Sequence, residues 1–207
     1  MALFGQGLDP EVAERVPPGQ RLVKSWPVLH YGPIPKFDEA SWDFRVFGEV
    51  EHPFTLTYEE LKALPSVRVD ADMHCVTGWS TLDNAWEGVS FRTLMETAGP
   101  TQGAKWVIAH CDHGYTSNLS MRAMDDDDVL VAWAHDGAPL TPEHGYPLRL
   151  VVPKRYAWKS AKWLRGLEFH TRNKRGFWET RGYHIHADPW PEERYSYQET
   201  PRAELEL

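Results

Sequence analysis

The stretch Ser66-Val67-Arg68-Val69-Asp70-Ala71-Asp72-Met73-His74-Cys75-Val76 decides how this chain is read. Val67, Val69, Ala71, Met73 and Cys75 fall on one side of an extended chain, and Arg68, Asp70, Asp72 and His74 on the other. Side chains alternate across a strand with a period of two, so this pattern predicts a half-buried β-strand. Cys75 then sits on the inner face at the strand's end, just before Thr77-Gly78 turns the chain away. A thiol placed there can point into a cleft. Soft sulfur donors suit zinc, copper, iron–sulfur clusters and other soft or high-valent centres, whereas a buried cysteine on its own is more often a small hydrophobe.

Working outward, Trp42 to Val50 alternates in the same way and predicts another strand. Lys105 to Cys111, Val129 to His135, Leu148 to Val152 and Trp163 to His170 are further strand candidates, with a turn at Asp136-Gly137. Thr57-Tyr58-Glu59-Glu60 is a capping box that opens a short helix ending near Leu64-Pro65. Ser90 caps a second helix, Phe91 to Ala98, closed by Gly99. Short, scattered helices among many strands predict an α+β domain with mixed sheets, not a doubly wound one.

The 207 residues, 42% of them hydrophobic, are enough for one buried core and one domain. The first 35 residues are rich in Pro and Gly and read as an irregular arm. The division expected is an arm at 1–25, a functional domain at 26–187 and a charged, Pro-containing extended tail at 188–207. No targeting segment and no run of about 18 apolar residues is visible, so no membrane span and a cytoplasmic location are expected, with Cys75 and Cys111 reduced. Asp125 to Asp128 lacks the spaced ligands of a calcium loop and reads as a solvated turn.

The net charge of −8 argues against a nucleic-acid partner. Between Arg149 and Arg175, however, nine cations face one acid, Glu168. That strip is either a solvated basic face or the site of a small phosphorylated ligand. The order of its residues bears on the choice: Gly145 to Pro153 places Arg149 in a strand, and Lys159-Ser160-Ala161-Lys162 follows in a loop. A fixed bidentate cation, mobile ammonium groups and backbone N–H donors are what a phosphate requires.

At these residues the chain resembles the sulfite oxidase-fold family of molybdopterin-dependent oxidoreductases, and most of all its bacterial methionine-sulfoxide reductase branch. The resemblance spans roughly residues 26–190. It rests on His30-Tyr31-Gly32-Pro33-Ile34-Pro35, on Cys75 to Ser80 with Trp86 to Val89, on Pro147 to Pro153 and on Lys159 to Leu164. The resemblance implies a molybdenum–molybdopterin cofactor with Cys75 as both metal ligand and catalytic residue. It implies cofactor contacts from His30, Cys111, His144 and Arg149 and a phosphate-binding loop of Lys159, Ser160, Ala161 and Lys162. The reaction implied is two-electron oxygen-atom transfer on a small sulfoxide, N-oxide or oxyanion, with electrons passing to or from an unidentified partner. Positions where the family's sulfite-binding arginines fall hold Ser80 and Val28, and Thr180 stands where its active-site tyrosine falls, so sulfite is not the expected substrate. Tyr183, Trp158 and Trp79 are candidates for the substrate entrance.

Two other readings remain open at this stage. His110-Cys111-Asp112-His113, His184-x-His186 and His74-Cys75 supply enough nitrogen and sulfur donors for a zinc enzyme, although no HExxH or paired CxxC is present. A carrier that stores or inserts the pterin without catalysis is the third.

Overall fold

The computed structural model describes residues 8–201 and 203; residues 1–7 of the arm and 202 and 204–207 of the tail lie outside the described residues. In chain order the elements are α1 (Pro10–Ala13), β1 (Arg21–Leu22), β2 (Phe44–Gly48), β3 (Phe54–Leu56), α2 (Tyr58–Ala63), β4 (Val67–Cys75) and β5 (Trp79–Ser90). There follow α3 (Phe91–Ala98), β6 (Trp106–Cys111), β7 (Thr116–Ser120), α4 (Met121–Met124), β8 (Leu130–His135), β9 (Ala138–Pro139), β10 (Arg149–Val151) and β11 (Leu164–His170). One sheet runs β1-β5-β8-β10, with β4 beside β5 and β9 beside β8; the other runs β3-β2-β11-β6-β7. Among the described residues only β1–β5 and β2–β11 pair in parallel. The α+β expectation holds.

Local chemistry sets the element ends. Thr57 and Glu60 exchange both capping-box hydrogen bonds at α2. Ser90 caps α3 through the Thr93 N–H, and Gly99 closes it in the left-handed region.

Two strands run through segments that the alternation rule leaves blank. β5 bends at Asp83, whose φ is +57°, and carries the buried polar residues Ser80, Thr81 and Asn84. β7 buries Ser117, Asn118 and Ser120. Buried polar side chains erase the hydrophobic period, and partners elsewhere offset the desolvation of most of them. Asn84 donates to the Ala71 and Thr81 carbonyls, and Asn118 donates to Asn173. The bend between β4 and β5 is tied to the arm by Arg15, which bridges Asp72 and Asp83 at 2.6 Å each.

The first sheet is buried on both faces. Val89 and Val131 point into the main core with Phe44, Val46, Leu167 and Phe169 of the second sheet. Met73, Cys75, Trp79, Trp86, Ala132 and Val151 form a separate cluster on the opposite face. The apolar side of the Ser66–Val76 stretch therefore lies under this second cluster, and Cys75 comes to the edge of a cavity. The close approach of β5 and β8 depends on Gly88, where an added Cβ would meet the Val131 carbonyl oxygen at 2.0 Å. Gly88→Ala should cost about 3 kcal/mol of stability, read as a lower urea midpoint. An unchanged midpoint would show that the two strands separate without cost.

The described residues of the C-terminal stretch, 188–201 and 203, fold back over the domain and are not an extended tail. Arg194 donates to the Val76 carbonyl oxygen, Glu199 pairs with Arg175, and Ala203 packs with Trp106 and Ile185.

Candidate active site

A cavity of about 880 Å³ opens beside the end of β4. Seven of the nine sequence candidates line it: His30, Cys75, His144, Arg149, Ser160, Ala161 and Lys162. Cys111 and Lys159 do not.

Cys75 is 8% exposed, and its Sγ accepts a hydrogen bond from the Thr77 hydroxyl at 3.1 Å. The turn behind it is closed by Gly78 N–H to the Cys75 carbonyl at 2.9 Å, with Gly78 at φ +88°, and Gln20 donates to the same oxygen at 3.1 Å. Burial pushes the thiol pKa up, against the opposing pull of Thr77 and the Arg194 charge. A free thiol here is neutral; a bound metal ion would displace its proton.

A second wall is cationic. Arg149 is fully desolvated, and burial pulls its pKa down to about 9. Its guanidinium donates to the carbonyls of His144 (2.9 Å) and Ser160 (2.8 Å), its Nε has no acceptor, and it lies over the rings of Trp26 and Trp86 at 5.0 and 5.3 Å. Lys162 donates to the Glu143 carbonyl at 2.7 Å; burial and then Arg149 lower its pKa to about 7. Gly145, at φ +112°, lies so close that a Cβ would touch the stems of Arg149 (3.1 Å) and Lys162 (3.2 Å). His144 stacks on Trp26 at 4.1 Å and is pushed down to about 4 by burial, then by Lys162 and Arg149. His30 bonds the Gly32 carbonyl and meets the Trp163 ring edge-on. Ser160 Oγ holds the Val152 N–H at 2.9 Å, so the 160–162 loop is anchored to the strand that carries Arg149.

The structure also shows where the basic strip goes. Lys154 pairs with Asp126 and Asp128, Arg155 with Asp188, Arg165 with Asp43 and Asp112, and Arg175 with Glu199. Arg149 and Lys162 have no carboxylate partner among the described residues. Two desolvated cations without a counter-ion on one cavity wall are paired only when an anion enters.

Two corrections concern the sequence candidates. Lys159 is 0% exposed and gives its ammonium to Glu179 (2.7 Å) and to the main-chain and side-chain oxygens of Asn118. It has no donor left for a phosphate. Cys111, at the end of β6, is buried in the main core, and burial and Asp112 push its thiol well up. Its neighbours Asp112 and His113 reach the cavity instead. Tyr183, Trp158 and Trp79 line the cavity as expected, whereas His184 and His186 turn to Glu193 and to the Ala203 carbonyl. Trp26, Tyr31, Phe177 and Trp178 line it as well. Their only sequence signal is the dense use of aromatic residues beside Pro and Gly.

The zinc reading loses its donors to other partners: His110 bonds Glu168 at 2.8 Å, and His74 bonds Ser80 at 2.8 Å. Among the described residues no group of three His, Cys, Asp or Glu side chains is arranged to hold a metal ion.

The Lys162 shift gives a pH prediction. Its folded-state pKa, about 7, lies below the unfolded value near 10.5, so the charged lysine destabilises the cofactor-free fold below about pH 7. That penalty is relieved as pH rises from about 7 toward 10.5. Cofactor-free protein should show a rise in Tm over this window that Lys162→Met lacks. Parallel curves for the two proteins would contradict the assigned environment.

An α+β domain with a thiol on one cavity wall and unpaired cations on another defines a class: an enzyme that holds a large anionic, metal-bearing cofactor. The family follows from comparison with known proteins. The chain belongs to the oxidoreductase molybdopterin-binding domain family, whose model matches residues 31–178. It is 46% identical over 195 residues, covering 94% of this chain and 98% of the relative, to the uncharacterized oxidoreductase YuiH of Bacillus subtilis strain 168. It is 29% identical over 175 residues (74% of this chain, 59% of the relative) to the protein-methionine-sulfoxide reductase catalytic subunit MsrP of Campylobacter jejuni. The sulfane dehydrogenase SoxCD of Paracoccus pantotrophus shares the fold, with a TM-score of 0.63 at 22% identity over 81% of this chain and 54% of that one. The protein is thus an oxidoreductase with a molybdenum–molybdopterin cofactor. No helix among the described residues is long and apolar enough to cross a membrane.

Proposed function

We propose that this enzyme removes an oxygen atom from a small uncharged S-oxide or N-oxide, taking up two electrons and two protons and releasing the reduced substrate and water. The observation that carries the reading is the cavity itself, with the Cys75 thiol on one wall and, on another, Arg149 and Lys162, which have carbonyl but no carboxylate partners among the described residues. The buried Arg149, the half-buried Lys162 and the close-packed Gly145 fit a phosphate, and Cys75 fits a metal that takes a thiolate ligand. Cys75 would ligate molybdenum. Arg149, Lys162 and the Ser160-Ala161 backbone would hold the phosphate, while His30 and His144 would flank the pterin. Bound there, the cofactor supplies a two-electron centre that exchanges an oxygen atom.

The chain's own residues orient the substrate and exclude water. His144, kept neutral, adds no charge beside the cations. Sulfite finds little to bind. Ser80 is fully buried and bonded to His74 and Gln20, Val28 is half exposed outside the cavity, and Thr180 turns its hydroxyl to the Phe177 carbonyl. The electrons would come from a separate carrier protein. The setting proposed is the cytoplasm, where a thiol such as that of Cys111 stays reduced.

Elemental analysis of protein made with the pterin pathway intact should find molybdenum near one per chain, and reduced viologen dye should drive reduction of a sulfoxide or N-oxide. Zinc in place of molybdenum, or faster oxidation of sulfite than reduction of any oxide, would overturn the reading.

A further inference from the structure

Part of the cavity wall is built from rings alone. Tyr31 packs on Phe177 at 4.6 Å, Phe177 meets Trp178 edge-on at 5.1 Å, Trp178 meets Tyr183 at 5.3 Å, and Tyr183 meets Trp158 at 5.2 Å. All five line the cavity, as does Cys75.

This wall is held from behind. Trp158 Nε1 donates to Glu179 Oε1 at 2.8 Å, and the same carboxylate pairs with Lys159 at 2.7 Å, side chains 0% and 1% exposed. Glu179 follows Trp178 directly, and Lys159 follows Trp158. One buried ion pair therefore locks the two loops that carry the rings. Gly176, where a Cβ would fall 2.7 Å from Glu179 Oε2, leaves room for that carboxylate. The acids nearest the wall are neutralised, Glu179 by Lys159 and Asp112 by Arg165. The exposed Arg181 lies over the Phe177 ring, 3.6 Å from its centroid, and the other four rings make the uncharged part of a pre-organised face that attracts a flat apolar group.

We propose that Tyr31, Trp158, Phe177, Trp178 and Tyr183 form a subsite for a flat aryl or heteroaryl group on the oxygen-bearing substrate, with Glu179 as the positioning residue for Trp158. This rests on the oxygen-transfer reading and names its substrate class: aryl sulfoxides and heteroaromatic N-oxides. The reaction balances as the S–O or N–O bond breaking, two electrons and two protons entering, and sulfide or amine plus water leaving.

The test uses molybdenum-loaded protein with reduced benzyl viologen as electron donor and matched substrates. These are methyl phenyl sulfoxide against dimethyl sulfoxide, and pyridine N-oxide against trimethylamine N-oxide. The ring-bearing member of each pair should have a kcat/KM at least about tenfold higher, carried by KM, as burial of one ring implies. Trp158→Leu and Phe177→Leu should raise KM for the ring substrate about tenfold at unchanged molybdenum content. Glu179→Gln, which keeps an acceptor for Trp158 Nε1, should retain the preference, and the paired change Glu179→Leu with Lys159→Met should lose it. Methyl phenyl sulfone, which resists reduction, should quench tryptophan fluorescence in the parent at about tenfold lower concentration than in Trp158→Leu. If no oxide is reduced yet the sulfone binds in this way, oxygen transfer fails and the subsite stands. Equal efficiency within each pair overturns the subsite. So does loss of molybdenum in the two leucine variants, because the rings would then be holding the pterin.

Discussion

Cys75→Ser folds with the parent's far-ultraviolet spectrum and emerges from purification with little molybdenum and no oxide reduction. The side chain is close in volume, and its strand is held by the β4–β5 ladder and by Gln20 on the Cys75 carbonyl, none of which needs sulfur. A serine hydroxyl is a harder, more basic donor that does not give up its proton to a soft site. Loss of a supporting contact behind a metal ligand already costs about 10- to 100-fold in affinity or activity, so loss of the ligand should cost at least about a hundredfold. The checks are metal per chain by elemental analysis and dye-linked turnover. Normal molybdenum together with normal turnover would remove Cys75 from the site.

Arg149→Met has two effects of opposite sign. In the cofactor-free protein a desolvated cation without a carboxylate gives way to an apolar chain of similar length, and such replacements are neutral or stabilising. A gain of about 1 kcal/mol in unfolding free energy is expected, reduced by the donors lost to the His144 and Ser160 carbonyls. In the holoenzyme the same change strips a charged donor from the phosphate, a loss of about 2–5 kcal/mol and so of roughly 30- to several-thousand-fold in retention. Denaturation of the cofactor-free variant and molybdenum release from the loaded one read these separately. A variant destabilised in both states would make Arg149 a packing residue. Full retention with improved stability would move the phosphate elsewhere.

Lys159 and Lys162 show why neighbouring residues of one motif part company. Three positions apart on one loop, they look alike in sequence. Lys159 meets Glu179, twenty residues further on, and is consumed as a counter-ion; Lys162 meets the Glu143 carbonyl and the Trp163 ring and stays available to the cavity. Pairing across loops is invisible to spacing, and it alone separates a structural lysine from a binding one. Cys111 follows the same logic: the strand end is foreseeable, but the main core receives its side chain, and Asp112 and His113 take the cavity wall.

What sequence alone determined was local. The period of two put Cys75 at a strand end, capping chemistry placed α2 and α3, and a strand arginine followed by lysines announced an anion site, because each property depends on residues a few positions apart. What tertiary structure decided was which charges are left unpaired and which faces meet. Neighbours far along the chain neutralise most of the basic strip, buried polar contacts stabilise β5 and β7 without any apolar period, and Trp26 is brought from the arm onto His144 and Arg149. Desolvation depends on everything that surrounds a group, and that is a property of the folded chain.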